Sequence, residues 1–349
     1  MSATILLASA ALASVELVPK APFAKPEGAL LVTLQGIDNS CELVLLDRDA
    51  AELGRERVAP GELDLAAVFP QIRRATRALR VQTLVSGSPE GSPVVVIPLA
   101  TRPTIRLADD LRPDGKTRYT RVVGWGDELL DPANERLRAL KESWPKADPA
   151  PYSGFRIERD RDVVFETTAG RIRFVMRPDE APATARNFVE LADSGFYDGT
   201  IVHRIVPADR NGLPFVIQGG DPTGSGDGGP GYDIALEPSR LPHDFGVVSM
   251  ARNDWPDSAG SQWFVCLSRE ATARLDGQYC AFGYAVEGAE AILKIAAGEI
   301  ADPATGRPAK PESIVRAYTV PGFPWTPGLG RPDARVKRPA EPAPAEADR

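Results

Sequence analysis

The chain has 349 residues, enough for two domains that each bury a hydrophobic core. It carries 48 acidic and 41 basic residues, and this acidic balance argues against nucleic acid as its main partner. The three cysteines, Cys41, Cys266 and Cys280, lack C-x-x-C spacing, and the two histidines cannot form a metal site by themselves. We therefore expect no disulfide framework, no metal and no cofactor.

The N-terminus leaves two interpretations open. Residues 5–13 read ILLASAALA, which resembles the short apolar region of a signal peptide, but no Lys or Arg precedes them. The same run could instead be the first β-strand of an N-terminal domain. It is too short to span a bilayer, and no other run of the sequence reaches spanning length, so we expect no membrane insertion. A cytoplasmic location is favoured, with export as the alternative.

Residues 1–150 are predicted to form a β-rich, sandwich-like domain whose role the sequence does not indicate. Four runs have the length and β-branched content of strands: 30–34, 42–46, 79–85 and 93–97. Helical periodicity occurs over 64–78 and again near Asp131-Pro132, a pair typical of a helix N-cap and first helical residue. The segment 145–151, PKADPAP, is predicted to be a linker.

A second domain is predicted over 151–320. Apolar and polar residues alternate through 162–176, as in the strands of a barrel whose inner face is filled. One helix is expected to begin at Pro182 and end near Gly195, and another is expected over 289–297. After Val320 the chain is rich in Pro and Ala, which predicts a flexible tail over 321–349 whose first turn is held by Phe323 and Trp325.

The most distinctive part of the sequence runs from residue 201 to 283. It contains Arg204 in the run VHRI, Gln218 in FVIQGGD, Gln262 in GSQWFV, and then the tripeptide LDG. These segments supply one guanidinium, two neutral amides and apolar walls. Ser249 and Ser261 have no general base placed beside them in the sequence, which argues against a nucleophile. One guanidinium, two amides and apolar walls suit a reaction in which no covalent bond is made or broken.

Rotation about an Xaa-Pro peptide bond is a reaction of this kind. Resonance gives the C–N bond partial double-bond character, with a barrier of roughly 18–20 kcal/mol. In the twisted form the prolyl nitrogen regains its lone pair, so a fixed cationic donor near it is worth more in the transition state than in the ground state. Each ~1.4 kcal/mol gained in this way is about tenfold in rate.

The order of these segments resembles the cyclophilin-type peptidyl-prolyl isomerases. The upstream runs VFETTAG, beginning at Val164, and APATARNF, beginning at Ala181, share the resemblance, which covers about residues 160–320. It implies a mainly β fold for the chain, in which the N-terminal sandwich-like domain is followed by an eight-stranded antiparallel β-barrel capped by two helices.

The resemblance also implies roles for particular residues. Arg204 would be the catalytic donor to the prolyl nitrogen, and Gln218 would hold that guanidinium and the substrate backbone. Gln262 and the backbone at Ala251 and Arg252 would bind the peptide, with only main-chain groups needed at Arg252. The proline pocket would be walled by Phe215, Val216, Phe264, Leu275 and Tyr279. His203 is expected to be packed, and His243 to serve a loop.

Three departures from the family pattern are visible. The segment between Arg204 and Phe215 is longer than usual, so a bulging loop is expected there. Arg274 stands where the best-known eukaryotic members carry the Trp associated with tight cyclosporin binding. Tyr279 replaces a His, as in bacterial members. The sequence therefore predicts a bacterial-like isomerase with weak cyclosporin binding.

Two function classes follow from the sequence. The first is an active isomerase that assists folding by acting on proline-containing polypeptides without strong sequence preference. The second is a non-catalytic adaptor or holdase that keeps the pocket and binds proline-containing segments. The joint presence of Arg204, Gln218, Gln262 and Phe264 favours the enzyme.

Overall fold

A computed structural model describes residues 14–100, 102–111, 116, 118–146 and 152–339. The signal-like segment 1–13, most of the predicted linker and the end of the predicted tail lie outside the described residues. Over the described ranges the chain is mainly β and forms two compact units. No helix in these ranges has both the length and the apolar character needed to cross a bilayer.

The elements follow the chain in a mainly β order. The strands are β1 Glu16–Pro19, β2 Phe23–Ala24, β3 Leu31–Gln35, β4 Cys41–Leu46, β5 Glu52–Val58, β6 Gly61–Asp64, β7 Leu79–Val85, β8 Ser88–Ala100, β9 Ile105–Leu111, β10 Arg118–Trp125, β11 Glu128–Leu129, β12 Tyr152–Arg159, β13 Arg161–Thr167, β14 Gly170–Met176, β15 Arg204–Val206, β16 Val216–Gly219, β17 Val247–Met250, β18 Trp263–Cys266, β19 Ala281–Glu287, β20 Ile300–Asp302, β21 Arg307–Pro308 and β22 Ile314–Pro321. The helices are α1 Leu65–Val68, α2 Glu135–Glu142, α3 Pro182–Asp193, α4 Arg269–Thr272 and α5 Ala289–Ala296, with 3-10 turns at Pro70–Arg74 and Ala273–Leu275.

The first unit contains a three-stranded and a six-stranded sheet with the orders β1-β3-β6 and β2-β12-β8-β7-β4-β5. Apolar side chains from both sheets share one core, as Val32 of the first and Leu43, Val81 and Phe155 of the second show. This confirms the sandwich-like prediction, and the four predicted strands correspond to β3, β4, β7 and part of β8. The periodicity over 64–78 produces only α1 and a 3-10 turn.

Residues 321–332 pack within the first unit. Trp325 is buried, its backbone N–H donates to the Gln82 side chain at 2.8 Å, and the Arg80 guanidinium lies 4.0 Å from its ring centroid. Arg80 is itself buried and pairs with Asp160. The tail predicted from residue 321 is therefore packed as far as residue 332, beyond the first turn that Phe323 and Trp325 were expected to hold.

The second unit is built on an eight-stranded antiparallel sheet with the order β15-β16-β18-β17-β19-β14-β13-β22. The sheet curls until Ile201 and Ser313, which lie beside its two edge strands, form an isolated bridge. Helices α3 and α5 contribute Phe188 and Ile292 to its core, where aromatic rings such as Phe165 and Phe188 lie 5.6 Å apart. These features confirm the predicted eight-stranded fold with two capping helices.

The segment 102–146 belongs to the second unit, whereas the predicted domain boundary lies at residue 150. Its strands form a separate sheet in the order β11-β10-β9, and Val122 and Trp125 enter the core of the second unit. The following helix α2 is capped by Asn134, whose side chain accepts from the Leu137 N–H. The cap predicted at Asp131 is therefore wrong, since Asn134 is also a good N-cap residue and lies directly before the helix.

Candidate active site

Strand pairing places the proposed catalytic residues in one row. Arg204 on β15 lies opposite Gln218 on β16, Gln218 lies opposite Phe264 on β18, and Phe264 lies opposite Ser249 on β17. Directly paired residues project from the same face of a sheet, so these four side chains lie on one face. The core of the unit lies on the other face. Arg204 is exposed and its Nη1 donates to Gln218 Oε1 at 3.1 Å.

The two glutamine amides continue this hydrogen-bond chain. Gln218 Nε2 donates to Gln262 Oε1 at 3.0 Å, and Gln262 Nε2 donates to the carbonyls of Gly226 and Gly228 at 2.8 and 2.9 Å. Each amide therefore has its orientation determined by the next group along the chain. The direction of the Arg204 guanidinium is thus set by a glycine-rich loop.

Asp221 organises that loop. Its buried carboxylate accepts from the backbone N–H groups of Thr223, Gly226 and Gly228 at 2.7, 2.6 and 3.1 Å. Burial raises the pKa of Asp221, but these hydrogen bonds outweigh it and hold that pKa well below its usual range. A side chain at Gly228 would place its Cβ 2.0 Å from the carboxylate, so only glycine fits there.

An apolar cluster lies on the same face as Arg204 and is the candidate proline pocket. All the side chains predicted to wall it belong to one cluster, which contains Phe215, Val216, Phe264, Leu275 and Tyr279 together with Ala251. The rings of Phe264 and Tyr279 meet edge to face, with centroids 5.6 Å apart. The Ala251 N–H donates to the Gln262 carbonyl at 2.9 Å, which ties the peptide-binding backbone to the pocket.

A groove of about 520 Å³ opens beside the two glutamines. Its walls come from the loops around Gly226–Asp233 and Ala251–Ser258, and they include Gln218, Gln262 and Ala251. The groove presents polar groups, whereas the cluster around Phe264 is apolar. Ala251 lines the groove and also belongs to the apolar cluster, so the two regions adjoin there.

Asp209 holds together the longer loop that precedes Phe215. The Asp209 carboxylate accepts from the N–H groups of Asn211 and Leu213 and from Arg274 Nη1 at 2.9 Å. The Asn211 N–H, assisted by Arg274 and Leu213, lowers the pKa of Asp209 despite the opposing effect of burial. The Arg274 guanidinium then lies 4.3 Å from the centroid of the Phe215 ring. The loop therefore holds a cation against the outer pocket wall.

The Arg252 side chain takes a role that the sequence did not predict. Only main-chain groups were expected to act there, yet its guanidinium lies 4.6 Å from the Tyr279 ring centroid. Its Nε and Nη2 donate to the Gln278 carbonyl at 3.2 and 3.0 Å. A cation over an aromatic face is worth about 0.5–2 kcal/mol, so Arg252 helps to hold one wall of the pocket.

A buried array lies beneath Phe264. The His243 ring stacks on Phe264, its Nδ1 is 3.0 Å from Asp276 Oδ1, and its Nε2 is 3.0 Å from Ser249 Oγ. The structure thus places a base beside Ser249, contrary to the expectation from the sequence. Ser249 is fully buried, however, so no substrate carbonyl reaches its hydroxyl, and the array supports the Phe264 ring instead.

The other histidine, His203, is buried next to Arg204, and neither of its ring nitrogens has a hydrogen-bond partner among the described residues. Burial, reinforced by Arg204 and Arg307, lowers the pKa of His203 although Asp221 opposes the effect. The folded protein therefore favours the neutral ring. No group of three His, Cys, Asp or Glu side chains in the described ranges is arranged to hold a metal ion.

The lowered pKa of His203 predicts how stability depends on pH. Above the pKa of about 6.5 that histidine has in the unfolded chain, the neutral His203 ring makes its full contribution to the stability of the folded protein. This contribution is lost as the pH falls through the lower pKa that His203 has in the folded protein. Between pH 7.5 and pH 5, the free energy of unfolding of the second unit should therefore fall less in His203→Gln than in the wild type. Native-state hydrogen exchange measures this difference. Equal losses in the two proteins would contradict this prediction.

Comparison with known proteins assigns the second domain to one family. The family described as cyclophilin type peptidyl-prolyl cis-trans isomerase/CLD matches residues 162–319. The peptidyl-prolyl cis-trans isomerase-like 1 of Neurospora crassa is 38% identical over 164 residues, which are 46% of this chain and 94% of that protein. The chain belongs to the cyclophilin-type peptidyl-prolyl cis-trans isomerases. The predicted family and enzyme class are thereby confirmed.

Other cyclophilins show the same extent of similarity. Peptidyl-prolyl cis-trans isomerase B of Bacillus subtilis is 39% identical over 132 residues, covering 37% of this chain and 86% of that protein. A solved cyclophilin of Cryptosporidium parvum, crystallised in the presence of the dipeptide Ala-Pro, is 30% identical, covers 46% of this chain and 99% of its own, and has a TM-score of 0.41. Both fungal and bacterial cyclophilins match, so the bacterial-like character stays a prediction. All ten predicted site residues lie within the matched cyclophilin region.

Proposed function

We propose that Arg204 is the catalytic donor of this isomerase and that its substrates are extended Xaa-Pro segments of other polypeptides. One observation carries the proposal: the exposed Arg204 guanidinium is oriented by Gln218 on the sheet face that also bears the apolar pocket. Gln218 and Gln262 orient the donor, and the pocket holds the proline ring.

Catalysis follows from the electronic change at the prolyl nitrogen. In the planar ground state the lone pair is delocalised, so the nitrogen accepts no hydrogen bond. Twisting by a quarter turn localises the lone pair, and a guanidinium already in place then stabilises the twisted bond without further reorganisation. Anchoring the proline ring among Phe215, Phe264 and Tyr279 lets the preceding carbonyl rotate while the ring stays fixed. No proton transfer is required.

The substrate range follows from the chemistry of the surface. The pocket recognises the proline ring, while Gln262 and the Ala251 backbone provide polar groups that bind any peptide backbone. We therefore propose broad action on proline-containing polypeptides, in keeping with assistance to folding, and no nucleic-acid partner. The isomerase domain is proposed to span residues 151–320, which the family match over 162–319 supports.

The alternative is an adaptor or holdase that binds proline-containing segments without catalysis. The test is exchange NMR spectroscopy of an Ala-Pro peptide with the full-length protein, which measures binding and isomerisation separately. The enzyme should broaden and exchange the cis and trans signals at catalytic protein concentrations. Binding shifts without accelerated exchange would support the adaptor and refute catalysis.

Arg274 determines a second expected property, which is weak and bacterial-like cyclosporin binding. The Arg274 guanidinium is hydrogen-bonded to Asp209 and lies against Phe215. It stands where the eukaryotic proteins offer the aromatic surface of a Trp. Arg274→Trp should therefore lower the inhibition constant for cyclosporin by about tenfold, or ~1.4 kcal/mol. Arg240→Trp, at an exposed site, is the matched control and should leave inhibition unchanged. A wild type inhibited as tightly as the eukaryotic proteins would refute the role of Arg274.

A further inference from the structure

The small sheet formed by β9, β10 and β11 lies outside the family match, which begins at residue 162. It nevertheless belongs to the second compact unit. Val122, which is 1% exposed, and Trp125 are buried in the core that the cyclophilin strands share. This segment is therefore an integral part of the folded isomerase unit in this chain.

One side chain connects this sheet to the pocket. The Gln278 side-chain amide bonds both backbone groups of Val122: its Nε2 donates to the Val122 carbonyl at 2.7 Å, and its Oε1 accepts from the Val122 N–H at 3.0 Å. A side-chain amide here bonds β10 as the backbone of a neighbouring strand would. Both hydrogen bonds are needed to satisfy the two polar groups of one buried residue.

Gln278 is also joined to the pocket wall through its backbone. Its carbonyl accepts two hydrogen bonds from Arg252, and the Arg252 guanidinium covers the ring of Tyr279, the next residue in the chain. The Tyr279 ring contacts Phe264 at the centre of the pocket. A continuous series of contacts thus leads from Val122 through Gln278 and Arg252 to the aromatic wall.

Two further contacts hold the same region in place. Gly277 has φ +69°, and a Cβ there would approach Leu130 Cδ1 to 2.7 Å, so the segment after β11 fits closely against the turn before Gln278. Arg102 bonds both carboxylate oxygens of Asp257 at 2.6 Å, which anchors the loop that follows Arg252. The paired bonds of guanidinium and carboxylate give this anchor a defined geometry.

We propose that Gln278 is a positioning residue for the isomerase reaction, through which β10 holds Tyr279 and Arg252 against the proline pocket. The inference rests on the proposed role of that pocket in binding proline. It gives Val122 on β10 a supporting role, because its backbone holds Gln278, which braces one wall of the pocket. A misplaced wall weakens substrate binding first, because Arg204 and Gln218 keep their own hydrogen bonds.

Gln278→Glu in the full-length protein tests this inference. At pH 7.5 the carboxylate still accepts from the Val122 N–H, but it has lost the donor and faces the Val122 carbonyl. We expect kcat/KM for an Ala-Pro peptide to fall about fivefold or more, mainly through KM. The protonated acid regains a donor in nearly the shape of the amide, so activity relative to the wild type should recover as the pH is lowered towards 4.

The pH series needs a protease-free assay, such as exchange NMR spectroscopy, and a ratio to the wild type at each pH. Arg252 bonds the carbonyl of residue 278, and its charge will move the recovery to more acidic pH. Thr120→Ala, which removes an exposed hydrogen bond to Asp109 on the same hairpin, is the matched control and should leave kcat/KM unchanged. An activity of Gln278→Glu equal to that of the wild type at every pH would overturn the inference.

Hydrogen exchange separates failure of this inference from failure of the proposed function. The Tyr279 N–H, which bonds the Leu275 carbonyl at 3.1 Å, should exchange faster in Gln278→Glu than in the wild type at pH 7.5. If the wild type showed no isomerase activity, the proposed function would fall, whereas faster Tyr279 exchange would still support the brace. Unchanged exchange in the variant would overturn the brace whatever the activity.

Discussion

Arg204→Ala should lower kcat/KM for an Xaa-Pro peptide by about 100-fold to 1,000-fold, the usual loss when one preorganised transition-state donor is removed. In the proposed mechanism Arg204 bonds the substrate nitrogen only when the peptide bond is twisted, so its loss raises the barrier without weakening ground-state binding. Peptide affinity, measured by NMR titration, should change little. Because Arg204 is exposed, the fold should be unaffected.

Two matched variants sharpen the Arg204 experiment. Arg210→Ala removes an exposed guanidinium from the neighbouring loop and should keep wild-type activity. Arg204→Lys keeps the charge but loses the planar fork that lets one guanidinium bond Gln218 and a substrate together, so it should recover only part of the activity. Full activity in Arg204→Ala would refute the proposed role of this residue.

Phe264→Ala should damage both the pocket and the stability of the second unit. The side chain is 5% exposed and contacts His243 on one side and Tyr279 on the other, so its removal leaves a cavity that costs about 3–5 kcal/mol. The same change removes the central wall of the proline pocket. We expect peptide binding to weaken by about tenfold or more, measured by NMR titration, and slow-exchanging amides of β18 to lose protection.

Phe282→Ala separates these two effects. Phe282 is fully buried on the core side of the same unit, where it packs against Phe188 with ring centroids 4.9 Å apart. Its removal should destabilise the unit by a similar amount while leaving the proline pocket intact. Phe264→Leu, with a smaller loss of volume, provides a folded protein if Phe264→Ala does not fold. Equal loss of peptide affinity in Phe282→Ala and Phe264→Leu would show that Phe264 acts only through stability.

The pocket of this chain has arginines on two of its aromatic walls. Arg274 covers Phe215 and is held by Asp209, and Arg252 covers Tyr279 and is held by backbone carbonyls. In both cases the cation is fixed by groups outside the apolar cluster. The two arginines therefore limit the motion of the Phe215 and Tyr279 rings. This favours a preformed pocket over one that closes around the substrate.

Local sequence patterns were sufficient for much of the fold. Alternation of apolar and polar residues predicted β13 and β14, and proline at a first helical position predicted the start of α3 at Pro182. Each of these signals acts within a few residues along the chain. The helix before residue 146 shows where such signals fail, because Asp131 and Asn134 are both suitable caps and only packing selects one of them.

The sequence by itself determined the family and the eight-stranded fold, and it predicted the site residues, because all three are carried by short motifs in a fixed order around Arg204, Gln218 and Phe264. Only the tertiary structure decided the partners of the side chains between those motifs. Gln278 meets Val122 across 156 positions of the chain, and Arg102 meets Asp257 across 155. Periodicity reports which way a side chain faces, whereas its contacts depend on which distant segment packs against that face.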